Sequence, residues 1–223
     1  MLGIPHIPLE LPDEPTHPLR LITEAMTHQE DGAFPILLAH SGCRTLRSLD
    51  EGGCLELCLR PRRAGERYPL TDDMVDLFPD PDAVEGIFSA FLYARRVLGP
   101  CVDGWVVDVG SAPCGWSGAA HGVMGDSFSL ALLFQIVARC QGAVWPKGVY
   151  VTGAVQHTRG FRCVAIGRAV AKCRWLELYG YQRLLLPQRN FKQLGRAGIR
   201  RERCVALPQN LQECVEEWKR CLP

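Results

Sequence analysis

A hairpin interrupts this otherwise alternating chain. Apolar stretches at 149–155 and 161–166 flank Gln156-His157-Thr158-Arg159-Gly160, a polar segment closed by glycine. That interruption breaks strict strand–helix alternation, so a doubly wound parallel sheet is excluded. The expectation is one α/β (α+β) domain over 34–223, with mixed strand directions and helices packed on the sheet.

The other elements follow from local pattern. Residues 34–39 and 54–59 are short apolar stretches separated by Gly52-Gly53, and they read as strands. A helix opens at Pro81, capped by Asp80. Proline suits the first helical position, where its missing N–H has no partner to lose. Val84, Ile87, Phe88, Phe91 and Leu92 follow helical spacing until Gly99-Pro100 stops the run. Residues 105–109 read as a buried strand and 129–140 as an apolar helix ended by Gly142. A helix over 168–179 is capped by Gly180. A strand at 183–186 is stopped by Pro187, and a strand at 205–207 precedes a last helix at 211–221.

Residues 1–33 have a different texture. Pro5, Pro8, Pro12, Pro15 and Pro18 describe an extended arm, with room for one short helix at 19–27. Proline-rich chain of this kind lies in grooves rather than building a core. The arm is expected to mediate assembly or to contact a partner. The Gly/Ser/Ala loop at 110–126 is too long for a turn, and loops of that length inside a compact domain are usually functional.

Composition narrows the function classes. The formal net charge is +1, which gives no electrostatic case for nucleic acid or a membrane as main partner. No apolar run is long enough to span a bilayer, and the N-terminus lacks the basic and apolar regions of a signal peptide. The expected compartment is the cytoplasm. Eleven cysteines at irregular spacing argue against a disulfide framework. Cys140, Cys163, Cys173 and Cys214 read as small buried hydrophobes. Cys54 and Cys58 have no second pair to complete a zinc site, and neither metal nor cofactor is expected.

Three short segments carry the chemistry. Gly125-Asp126-Ser127-Phe128-Ser129 opens the apolar helix, which sets Ser127 near a helix N-terminus. Free backbone N–H groups there suit an oxyanion, and Gly125 and Asp126 are the supporting candidates. The plain alternative is an N-cap. Lys172 shares a helix face with Ala169, Cys173, Leu176 and Tyr179, while Arg174 and Glu177 lie away from it. Burial there lowers an amine's pKa and makes it a base. The alternative is a snorkelling amine. Thr152, before Gly153, is suited to orient the neutral amine, or is there for β-propensity alone.

From Gly125 onward the order and spacing of these segments resemble the proteolytic domain of Lon-type proteases. In that family an Asp-Gly-Pro-Ser-Ala-Gly box precedes a helix and a Thr-Gly. A hairpin, a Gly-Gly-Leu-Lys-Glu-Lys helix and a strand ending in proline follow. Ser127 falls on the nucleophile, Thr152-Gly153 lies at the family's own offset, and Lys172 falls on the catalytic second lysine. Ile166-Gly167 matches the start of the helix motif. The run Tyr179-Gly180-Tyr181-Gln182-Arg183-Leu184-Leu185-Leu186-Pro187 resembles the segment after it. The resemblance implies a Lon-like fold, related to ribosomal S5 domain 2, and a serine peptidase with a Ser127–Lys172 dyad acting on proteins or peptides. It also implies homo-oligomers. No phosphate-binding loop is present, so the expectation is a Lon-like module that stands alone or works with a separate ATPase or regulatory partner.

The box departs from the family pattern. Asp126 replaces the proline, Ser129 the second glycine, Met124 the acid three before the serine, and Val170 the first lysine. A catalytically inactive Lon-like or S5-like scaffold is therefore the alternative. Two rival chemistries are weaker. A nucleophile elbow lacks its final glycine and a suitable histidine, since His157 sits in the hairpin turn. Cys114 and His121 share one glycine-rich loop, which gives a poorly preorganised pair.

Overall fold

The computed structural model describes residues 33–39, 52–75, 77–109, 123–158 and 160–222. The proline-rich arm, the helix expected at 19–27, the pair Cys114 and His121, and residues 110–122 of the long loop lie outside these. In chain order the described residues form β1 (Ala33–Ala39), β2 (Gly52–Pro61), α1 (Asp72–Val75), α2 (Pro81–Leu98), a 3-10 turn (Gly99–Gly104) and β3 (Trp105–Val109). Then come α3 (Ser129–Cys140), β4 (Val149–Val151), β5 (Ala154–Gln156), β6 (Arg162–Val164) and α4 (Ala169–Tyr179). β7 (Arg183–Pro187), α5 (Gln188–Arg196), β8 (Cys204–Leu207) and α6 (Leu211–Lys219) complete the order.

The architecture is mixed α/β. A sheet with strand order β3-β2-β1-β4-β7-β8 is antiparallel from β3 to β1 and parallel from β1 to β8. β5 and β6 pair separately as an antiparallel ribbon. Side chains alternate between two cores, as the pleat requires. Ile36, Val149, Val151 and Leu185 join the larger core with α2, α3 and α6. Leu37, Tyr150, Leu184 and Leu186 join a second core with α4 and α5. Because both faces are covered, β4 and the Leu184-Leu185-Leu186 run of β7 are wholly buried.

Several elements differ from expectation. Gly52 and Gly53 are not a spacer but the start of β2, paired with Ala39 and Leu38. β3 is an edge strand, with Val106 and Val107 buried and Trp105 and Asp108 half-buried. The stretch 149–155 is not one strand: the chain leaves the sheet at Thr152-Gly153 and enters the ribbon. Pro187 is the last residue of β7, paired with Leu207, rather than the residue beyond it. α5 went unexpected because Phe191 and Leu194 are its only large apolar residues. Topology demands it all the same. β7 and β8 are parallel, and a parallel pair needs a crossover connection.

α6 closes the larger core through Trp218, which is fully buried. Its ring stacks on Phe134 of α3 at 5.3 Å and meets Trp145 at 4.4 Å. Trp218→Ala is expected to cost about 3–5 kcal/mol, the range for truncating a large buried aromatic. Equilibrium urea denaturation checks this. No helix among the described residues is long and apolar enough to cross a membrane.

Candidate active site

The site lies at the C-terminal end of β4, where the chain switches from sheet to ribbon. Ends of parallel strands are the usual place for a site in such sheets. Thr152 N–H is held by Leu185 of β7 at 3.0 Å, which anchors the switch to the sheet. Gly153 then donates its N–H to the Ser127 carbonyl at 2.9 Å, and its own carbonyl accepts from Leu130 N–H at 3.2 Å. These two bonds lock the start of α3 against the switch. They need Gly153: a Cβ there would stand 2.8 Å from Leu130 Cδ2 and 3.2 Å from the Pro187 ring.

The segment before α3 is fixed with equal care. Gly125 has φ 74°, the left-handed region where glycine is favoured. Its N–H donates to Asp80 Oδ2 at 2.6 Å, while Asp80 Oδ1 accepts from Asp82 N–H at 3.1 Å and caps α2. One carboxylate thus joins the loop to α2. Gly86 lets the helix approach: a Cβ there would be 2.8 Å from Asp126 Cβ. Ser129 is fully buried, donates Oγ–H to the Asp126 carbonyl at 2.7 Å and accepts from Val155 N–H at 2.8 Å.

α4 delivers the lysine. It starts after Arg168, whose φ of 54° is unfavourable for a residue with a Cβ. The turn is fastened by buried Asn190 of α5, which exchanges two hydrogen bonds of 2.9 Å with the Ile166 backbone. Ala169, Cys173 and Leu176 bury the face that carries Lys172, and Arg174 and Glu177 are exposed. Lys172 is 3% exposed.

Three of the expected residues therefore meet. Lys172 Nζ lies 2.7 Å from Ser127 Oγ and 3.4 Å from Thr152 Oγ1. Thr152 in turn donates its hydroxyl to the Ser127 carbonyl at 3.3 Å. Burial lowers the Lys172 amine from 10.5 to about 7, against the opposing pull of the Asp126 carboxylate. An amine so placed is available in its neutral form, and a neutral amine accepts a proton.

Two supporting roles are corrected. Gly125 offers no oxyanion donor, because its N–H is committed to Asp80. The Asp126 carboxyl is an acceptor and cannot hold an oxyanion. Burial raises its pKa, and Asp82, Glu85 and Asp80 add to the rise. The Asp126 N–H bonds the Asp126 carboxylate, which works against that rise, whereas the Ser127 N–H has no acceptor among the described residues and sits at the positive end of α3. Sequence reading also missed Ser129 as a tether, the second role of Asp80, and Asn190. Asn190 carried no signal, since an asparagine in a polar segment reads as surface.

The histidine alternative is not assembled. His157 Nδ1 is 2.8 Å from Ser89 Oγ on α2, and the Ser127 hydroxyl meets Lys172 instead. Among the described residues no group of three or more His, Cys, Asp or Glu is arranged to hold a metal. The chain matches no protein-family model, and no curated protein matches it.

Proposed function

We propose that this chain is a Lon-like serine peptidase that cleaves peptide bonds through an acyl-enzyme on Ser127. The observation that carries this reading is the 2.7 Å contact between Ser127 Oγ and a lysine that is 3% exposed. Neutral Lys172 takes the Ser127 proton as the hydroxyl oxygen attacks the scissile carbonyl. An amine N–H points to Thr152 Oγ1, which leaves the lone pair for the serine. The Ser127 N–H is the oxyanion donor. Lysinium then returns the proton to the leaving amine, and water repeats the sequence on the ester.

The proposal extends to a Lon-like topology, protein or peptide substrates, a homo-oligomer, and control by a separate ATPase or regulatory partner. We also propose a cytoplasmic location, supported by the free cysteines among the described residues.

A fluorophosphonate probe tests the nucleophile directly. Wild-type protein is expected to become covalently labelled at Ser127, faster as the pH rises through about 7. Lys172→Ala should remain unlabelled. Absence of labelling at Ser127 across that pH range in folded protein would favour the scaffold.

A further inference from the structure

A cavity of about 450 Å³ lies between the C-terminal half of α2, the start of β6 and the segment leading into α6. Backbone bonds build it. Cys163 N–H donates to the Gln209 carbonyl at 2.8 Å, and Arg162 forms a bridge with Asn210, so β6 is fastened along the residues before α6. Asn210 then caps α6 by accepting from Gln212 N–H at 2.9 Å.

Two guanidinium-bearing side chains from different elements line this cavity. Arg96 of α2 lies over the Phe161 ring, with Cζ 6.0 Å from its centroid, and Phe161 in turn meets Tyr93 at 5.3 Å. Arg162 of β6 is half-buried, and its Nε is removed from solvent with no hydrogen-bond partner among the described residues. Neither arginine forms an ion pair among those residues. No described carboxylate lines the cavity. Two positive charges therefore face one space without an internal counter-charge, and one of them is partly desolvated.

We propose that this cavity binds a small phosphomonoester with an aromatic body. Charge selects the phosphoryl group. A phosphomonoester carries about −1.5 to −2 near neutral pH and matches two guanidiniums, whereas a carboxylate matches one. The N–H forks of arginine fit phosphoryl oxygens, and the exposed amides of Gln209 and Gln212 on the rim supply further donors. Size selects the organic body. The volume is more than inorganic phosphate fills, and it falls in the range of small-molecule sites, about 300–1,000 Å³. The Tyr93 and Phe161 rings give that body an apolar wall. The site shares no residue with Ser127, Thr152 and Lys172, and the inference does not depend on the peptidase reading.

Phenyl phosphate is the probe, titrated into the isotope-labelled full chain near neutral pH and followed by amide NMR. Saturable shifts are expected at the Arg162, Gln209 and Gln212 amides, with a dissociation constant on the order of 1 mM or tighter. Inorganic phosphate and benzoate should each bind about tenfold more weakly, since one lacks the ring and the other the second charge. Arg96→Gln and Arg162→Gln should each weaken phenyl phosphate about tenfold. No saturable shift at these amides up to about 10 mM probe, or shifts confined to other surfaces, would overturn the proposal. So would inorganic phosphate or benzoate binding as tightly as phenyl phosphate, or unchanged binding by folded Arg162→Gln protein. The comparison of the three anions on wild type decides the matter even if a glutamine variant folds poorly.

Discussion

Lys172→Ala is expected to lower peptide cleavage by about 10^4-fold or more, and Ser127→Ala by as much, because a nucleophile and its base act as a unit. The two changes together should cost little beyond either alone. Lys172→Arg should be as inactive as alanine, since a guanidinium keeps its proton at every working pH. Thr152→Val removes the acceptor that orients the amine at 3.4 Å but leaves nucleophile and base in place. It should retain partial activity. For wild type, kcat/KM should rise about tenfold per pH unit below 7 and level off above it, as Lys172 loses its proton near pH 7. Steady-state cleavage of a fluorogenic peptide, with any cognate partner present, measures all of these. Full activity in folded Lys172→Ala protein would end the dyad reading.

Lys172→Met is expected to stabilise the protein at pH 7 while abolishing cleavage. In the unfolded chain the amine holds its proton up to about 10.5, and in the folded protein only up to about 7. Between those values the unfolded state binds the proton more tightly, so protonation favours unfolding. Below about pH 7 both states are protonated and the burial penalty is fully present. It is relieved as pH rises from about 7 to 10.5. Methionine fills a similar volume without a charge to desolvate. After subtracting the lost bonds to Ser127 and Thr152, the expected gain is on the order of 2–4 kcal/mol at neutral pH. The advantage should shrink toward pH 10. Denaturant melts of both proteins at pH 7 and pH 10 measure it. A destabilised methionine variant, or a gap that widens with pH, would show that Lys172 is not held buried against its charge. The same penalty explains why such a lysine needs a purpose: a stability cost of this size stands against function.

Two side chains around Ser127 fasten the turn that carries it. Asp126 Cβ packs where Gly86 leaves space on α2. Ser129 Oγ bridges the Asp126 carbonyl and Val155 N–H.

Local pattern was enough for the strongly marked elements. Asp80-Pro81 and Gly99 delimit α2, and Gly180 ends α4, because caps are written in one or two residues. The uniformly apolar run of α3 was equally plain. The hairpin correctly excluded strict alternation. Lys172 on an apolar face and Ser127 before an apolar helix were also legible, since amphipathic spacing says which side chains point inward.

What escaped the sequence depends on partners distant along the chain. α5 has almost no apolar periodicity and exists because two parallel strands must be joined. The break at Thr152-Gly153 is set by the bonds Gly153 to Ser127 and Thr152 to Leu185, 26 and 33 residues apart by sequence number. Gly125 reads as an oxyanion donor until Asp80 takes its N–H. Residue order alone shows which side chains are nucleophilic or ionisable and which helix faces are apolar. That Lys172, Thr152 and Ser127 meet is visible only in the fold, because hydrogen-bond reach is a property of three packed elements and not of any one segment.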